Sequence, residues 1–191
     1  MARRILIVYG TTYGQTARIA HYIQDVLTSE GCEVVLEPAD RWRADWNVHG
    51  YDAIVVGASL VVGHHQPSVA KFAAENRTAL NRIPTAFFSV SASAAGTDPR
   101  AIAEVDRLIN GFLAEAQWHP RTVEKIGGAI AYTRYSFPVR LAMKFIAWRN
   151  GGPTDTSRDH ELTDWAQVRQ FAMRVLGLVN ATPAREPVPP G

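Results

Sequence analysis

The chain has 191 residues, one cysteine, 20 Lys and Arg against 18 Asp and Glu, and a net charge of +2. It is one domain's worth of chain, long enough to bury most of its apolar surface, and the lone Cys32 excludes an internal disulfide framework or a cysteine-rich zinc site. The thiol suits a reducing cytoplasm, and the small positive excess names no partner by itself; nucleic acid is not expected among the partners.

The N-terminus, "MARRILIVYG", carries too few apolar residues before a polar turn for a signal-peptide core or a membrane span, so Ile5 to Tyr9 reads as the first strand. The turn that follows, within "YGTTYGQTARIA" (Tyr9 to Ala20), is rich in threonine and glycine and contains no lysine; the first basic residue is Arg18. A helix N-terminus offers unpaired N–H donors and partial positive charge, which favours a phosphate, and the hydroxyls of Thr11, Thr12 and Thr16 add donors. Neither Gly-Lys-Ser/Thr nor G-x-G-x-x-G is present, which excludes the triphosphate loop and the dinucleotide fingerprint. Tyr9-Gly10 and Gly57-Ala58 stand where a phosphoacceptor receiver would carry acidic residues.

The first helix is predicted over Thr16 to Ser29, with Ile19, Ile23, Val26 and Leu27 on one face and a stop at Gly31. Further strands are predicted over Glu33 to Leu36, Ala53 to Gly57, Thr85 to Val90 and Ile126 to Ala131. Their continuous apolar character suits a sheet covered on both faces. Pro38 to Gly50 reads as mostly loop, and helices are predicted over Ser68 to Leu80 and Arg100 to Ala116. A Thr163/Asp164 cap opens a last helix that spaces Trp165, Val168, Ala172, Val175 and Val179 on one face, widened by Phe171. The proline-rich tail 181–191 reads as disordered, and no internal repeat is found.

Strands alternating with helices predict a doubly wound parallel sheet with right-handed crossovers. Ligands in such sheets sit at the carboxyl ends of the strands where the strand order reverses. There the opening turn should meet Gly57 to Ser68 and Ser89 to Pro99. His64 and His65 could relay protons at the edge of a ligand, but two histidines in an exposed turn are more often simply polar. The five tryptophans read as core and interface residues, and Trp118 and Trp165 sit at element edges, where a wet indole N–H is common. Cys32 is assigned no chemistry.

Between the last strand and the last helix, Tyr132 to Gly152 carries Arg134, Arg140, Lys144 and Arg149, and no acidic residue occurs before Asp155. A helix over Pro138 to Arg149 would group Val139, Met143, Ile146 and Ala147, with Phe145 and Trp148 broadening that face. At about 18 Å it is shorter than the roughly 30 Å bilayer core, so it could lie on a membrane but not cross one. The alternative is a helix that caps the sheet edge, its cations simply solvated.

"IVYGTTYGQT", Ile7 to Thr16, resembles the flavodoxin signature. The resemblance implies an α/β, flavodoxin-like, doubly wound five-stranded parallel sheet. Residues 1–180 would form an FMN-binding domain, with an insertion at about 132–160 between the last strand and last helix. It implies phosphate contacts from Thr11, Thr12, Tyr13, Gly14, Gln15 and Thr16. Ala58, Ser59 and Leu60 would border the isoalloxazine on one side, and Ser89, Val90, Ser91, Ala92 and Ser93 on the other. "YDAIVVGASLVVGHH", "IPTAFFSVS", "QWHP", "GGAIAYTRY", "GGPTDT" and "TDWAQVRQFA", in that order, further resemble the bacterial flavodoxin-like, menaquinone-dependent protoporphyrinogen oxidases. The chain departs from that family in "SLVVGHHQPS", which lacks the basic and aromatic residues expected after the serine, and in the less basic "SASAAGTDP".

That resemblance implies FMN-dependent oxidation of protoporphyrinogen IX to protoporphyrin IX in heme biosynthesis, in two-electron cycles that pass electrons to menaquinone or another quinone. It implies a cytoplasmic protein held peripherally on an anionic membrane surface. Arg134, Arg140, Lys144 and Arg149 would pair with substrate propionates or with lipid head groups. No catalytic side chain and no metal are assigned, and the oligomeric state is open. A flavodoxin-like electron carrier is the first alternative, against which the basic run stands, since such carriers usually present an acidic rim. An NAD(P)H:quinone reductase is the second, and no nicotinamide site is found for it.

Overall fold

A computed structural model describes residues 2–43, 46–149 and 152–181. The tail from 182 onward and the side chains of Ile146 and Arg149, both part of the expectations above, lie outside the described residues. In chain order the elements are β1 (Arg4–Gly10), α1 (Gln15–Ser29), β2 (Glu33–Pro38), β3 (Ala53–Val61), β4 (His64–His65), α2 (Pro67–Glu75) and α3 (Arg77–Arg82). There follow β5 (Thr85–Ser91), α4 (Pro99–Glu115), β6 (Thr122–Gly127), β7 (Ala129–Ile130), α5 (Phe137–Arg149), β8 (His160–Glu161) and α6 (Trp165–Asn180). Single 3-10 turns at Ala39–Arg41 and Val48–Gly50 punctuate the stretch expected to be loop.

The sheet runs β2-β1-β3-β5-β6, every neighbouring pair parallel. Because side chains alternate across a strand, Ile5, Ile7, Val55, Phe88, Val90 and Ile126 face α1 and α6. Leu6, Val8, Ile54, Val56 and Phe87 face α2, α3 and α4. Both faces are therefore buried, and each fully buried aliphatic or aromatic side chain contributes on the order of 1.5–3 kcal/mol. The chain leaves β1 in one direction to reach β2 and in the other to reach β3. The crevice this opens lies at their carboxyl ends.

Three elements differ from their sequence expectation. β3 continues past Gly57 to Val61 and turns back through Val62 and Gly63, both at positive φ (50° and 79°), so that β4 pairs antiparallel with it. Those angles belong to the hairpin turn in which glycine is at ease and a β-branched residue is strained. The helix expected over Ser68 to Leu80 is two helices, broken at Asn76, whose Nδ2 donates back to the Phe72 carbonyl. The last strand begins at Thr122, not Ile126, and ends at Gly127. Ala129–Ile130 then leaves the sheet to pair antiparallel with β8. β6 is an edge strand: Glu124 engages Gln167 and Arg174, and Lys125 engages Asp106, so its polar residues interrupt the apolar run. Trp118 is a core residue, as read, but its indole N–H is not wet: it donates to Thr85 Oγ1 at 3.0 Å.

A third, smaller core joins the insertion to the sheet's carboxyl end. Ile130, Ala131, Tyr132, Tyr135 and Ala147 pack with Tyr13, Ala92, Met143 and Leu162.

Candidate functional site

Residues 11–14 carry the chain from β1 into α1. Gly14 occupies the N-cap position at φ 93°, a left-handed conformation natural to glycine, and supplies no side-chain cap to the helix N–H groups. Its own N–H donates to Thr11 Oγ1 at 2.9 Å. Thr16, in the first turn, is fully buried, and its hydroxyl finds no hydrogen-bond partner among the described residues. A buried hydroxyl left unsatisfied is costly, so its position beside the helix N-terminus marks where an acceptor belongs. The Thr12 hydroxyl is already engaged, lying 3.3 Å from Ser59 Oγ and accepting from Gln66 Nε2 at 2.9 Å; Gln66 Nε2 also donates to Ser59. Gln15 donates to Glu161 and Thr163, at 3.0 and 2.8 Å, which ties the loop to β8 and to the entry of α6.

From this loop opens a cavity of about 540 Å³. Of the expected residues, Thr11, Tyr13, Gln15, Thr16, Ser59, Leu60, Val90, Ser91, Ala92 and Ser93 line it. Thr12, Gly14, Ala58 and Ser89 do not: Ala58 and Ser89 are fully buried within their strands. The sequence reading missed part of the wall: the hairpin residues Val61 to Gly63, then Glu104, Val105 and Leu108 of α4, then Tyr135, Val139 and Met143 of the insertion. Helical spacing marks Val105 and Leu108 as α4 core positions, but only the crossover topology turns that end of α4 toward the loop. The donors of the loop suit a phosphate monoester, and the mostly apolar walls suit a flat aromatic ring.

His65 is not the exposed histidine expected. Its Nε2 lies 2.9 Å from Ser89 Oγ, and its ring packs against Phe87 and Phe112 at 5.6 and 4.8 Å between centroids. Burial lowers its pKa to about 4, so the imidazole is neutral at physiological pH. Tyr135 packs edge-on to Tyr13 at 4.9 Å, and burial raises its phenol, which stays protonated.

The basic residues of the insertion separate. Arg134 donates from Nη1 to the Tyr13 carbonyl at 2.6 Å, and Arg140 from Nη2 to the Tyr135 carbonyl at 3.3 Å. Lys144 lines a separate hollow of about 300 Å³ with Leu141, Phe145, Trp148 and Thr154. Of Arg149 only the backbone, at the end of α5, is described.

The family described as "Flavodoxin domain" matches residues 6–157. A curated protein of Escherichia coli strain K12 named protoporphyrinogen IX dehydrogenase (quinone) is 33% identical over 178 residues, covering 93% of this chain and 97% of that one. A protein of the same name from Leishmania major is 33% identical over 187 residues, covering 95% of this chain and 78% of its own length. Among solved structures, oxidised flavodoxin 1 from Bacillus cereus aligns with a TM-score of 0.56 at 18% identity, over 91% of this chain and 97% of that one.

Proposed function

The chain belongs to the flavodoxin domain family, and on that premise we propose that it is an FMN-dependent oxidoreductase that dehydrogenates protoporphyrinogen IX, within heme biosynthesis, and delivers the electrons to menaquinone or another quinone. One observation carries the reading. A single cavity is lined both by the lysine-free loop residues Thr11, Tyr13, Gln15 and Thr16 and by Val139 and Met143 of the insertion helix. The cofactor loop and the segment that a small electron carrier does not need thus share one site.

The residues present fit FMN. Thr16 Oγ1 and the uncapped first turn of α1 would hold the phosphate, and Leu60, Val90 and Ala92 would flank the ring system. When bound, FMN supplies two-electron redox chemistry, and three such cycles take a porphyrinogen to a porphyrin. The chain's own contribution is binding, orientation and exclusion of water. The β3–β4 hairpin and α4 form two apolar walls, and Tyr135 closes the loop side with a neutral phenol. His65 and Ser89 hold the hairpin against β5 without adding charge beside the ring. Lys144, beside the outer hollow of the insertion helix, would meet substrate propionates or anionic head groups at a cytoplasmic membrane surface to which the protein binds peripherally, whereas Arg134 and Arg140 are turned to backbone carbonyls.

The test is anaerobic turnover of the FMN-loaded protein with protoporphyrinogen IX and a menaquinone analogue, and separately with NADPH as donor. Porphyrin fluorescence should rise with quinone consumption and should require both reactants. No porphyrin above the enzyme-free control, with NADPH reducing the quinone instead, would replace this reading by a nicotinamide-linked quinone reductase.

A further inference from the structure

We propose that Arg134 is the basic member of the phosphate site and a positioning residue for its loop, so that the insertion controls how tightly the cofactor's phosphate is held. The inference rests on the FMN reading above. The loop itself has no cation, and Arg18, the first basic residue after it, is turned to Gln15 and Glu161 at 3.1 and 3.3 Å. Arg134 arrives from far along the chain, on the single turn Tyr132–Arg134 that opens the insertion. That turn is fixed on both sides. Tyr132 Oη donates to the Pro153 carbonyl at 2.8 Å, and Thr133 donates through its N–H and hydroxyl to Asp159 at 2.9 and 2.8 Å.

Its target matters. The Tyr13 carbonyl that accepts from Arg134 and the Gly14 N–H that donates to Thr11 belong to one peptide unit, so that peptide plane is held at both ends. It is the unit that leads into Gly14 at φ 93° and from there into the first N–H groups of α1. A side chain that fixes this plane fixes the direction of the donors that follow. The guanidinium also lies against Gly14, 3.4 Å from where a Cβ there would stand, which places its charge at the loop. Its bond satisfies the Tyr13 carbonyl, an oxygen that would otherwise present negative charge beside an anion.

The experiment compares FMN with riboflavin, which shares the ring system but lacks the phosphate, by fluorescence titration of the apoprotein. The proteins are the native chain, Arg134→Ala, Arg134→Lys and, as matched control, Arg18→Ala. Arg134→Ala should lose at least about tenfold in FMN affinity while riboflavin affinity stays unchanged, as removal of a charge-assisted contact predicts. Arg134→Lys should recover part of the loss, and Arg18→Ala should keep the native preference for FMN. Unchanged melting of Arg134→Ala would show that the loss is not one of fold. An unaltered FMN-to-riboflavin ratio in Arg134→Ala, an equal loss of both ligands, or the same loss in Arg18→Ala overturns the assignment. If the native chain binds neither ligand, the FMN reading itself falls with it.

Discussion

Thr16 and Thr12 are alike in sequence and differ in structure. The Thr16 hydroxyl is buried and unpartnered, whereas that of Thr12 joins Ser59 and Gln66. Burying an unsatisfied hydroxyl costs about 1–3 kcal/mol, and a hydrogen bond to a charged acceptor returns about 1.5–3 kcal/mol. Thr16→Val keeps the shape and removes the hydroxyl, so its two effects should have opposite signs. The apoprotein should gain about 1 kcal/mol in denaturant unfolding, and FMN affinity should fall roughly tenfold. Thr12→Val should instead destabilise the apoprotein by about 1 kcal/mol, because it breaks a tether between the loop and β3. Unchanged FMN binding by Thr16→Val would remove that hydroxyl from the phosphate site.

The β3–β4 hairpin is held by a partly buried histidine, and this gives it a pH dependence. His65 has a folded pKa near 4 against 6.5 for the free side chain, with burial as the cause. The unfolded chain therefore binds the proton first as pH falls. Stability is full above pH 6.5, erodes between pH 6.5 and 4, and below that has lost about 3 kcal/mol. Chemical denaturation across this range should show the slope, and His65→Gln should flatten it; an equal slope in both proteins would place the titration elsewhere. The hairpin also marks where sequence reading stopped. The apolar runs of β1, β3 and β5, the α1 stop at Gly31 and the Asp164 cap of α6 are local signals, and the structure keeps them: Asp164 accepts from Ala166 and Gln167 at 2.9 and 3.2 Å. Val62 gives no turn signal, because a β-branched residue disfavours φ 50°; the antiparallel pairing of β3 and β4 on either side sets the turn. Likewise, Glu124 and Lys125 hid the start of β6. At the cavity, Thr11, Tyr13, Gln15 and Thr16 could be grouped from the sequence because they are contiguous, while Leu108, Tyr135 and Met143 reach it only through long-range topology.

At the scale of the whole molecule, α5 is a partition with two apolar sides. Val139 and Met143 wall the cavity and Ala147 is buried, whereas Phe137, Leu141, Phe145 and Trp148 are between 53% and 73% exposed. The expectation of one continuous apolar face is thus corrected: Phe145 and Trp148 do not broaden the inner face but form the outer one, their rings 5.9 Å apart. The spacing of 137, 141, 145 and 148 puts these side chains on one stripe, and Lys144 beside it completes the outer hollow. Thirteen residues give a helix of about 20 Å, and among the described residues no helix is long and apolar enough to cross a membrane. Lying in the interface, α5 would set the cavity about one helix diameter, roughly 10 Å, from a lipid-dissolved quinone. Lys144 would gain about 1 kcal/mol near an anionic leaflet, whereas a fully buried Phe or Leu gains about 1.5–3 kcal/mol, so the apolar stripe should outweigh the charge. This reverses the weight that the basic run had in the sequence, since Arg134 and Arg140 are tied to backbone carbonyls. Co-sedimentation with vesicles of rising anionic-lipid content should therefore show binding that Phe145→Ser with Trp148→Ser reduces at least about tenfold at every composition, with FMN retained. Lys144→Glu should weaken binding only to anionic vesicles, and salt should abolish that difference because the Debye length at physiological ionic strength is about 8 Å. Equal sedimentation of the native chain and the Phe145/Trp148 variant would take α5 off the membrane and leave its outer stripe to some other partner.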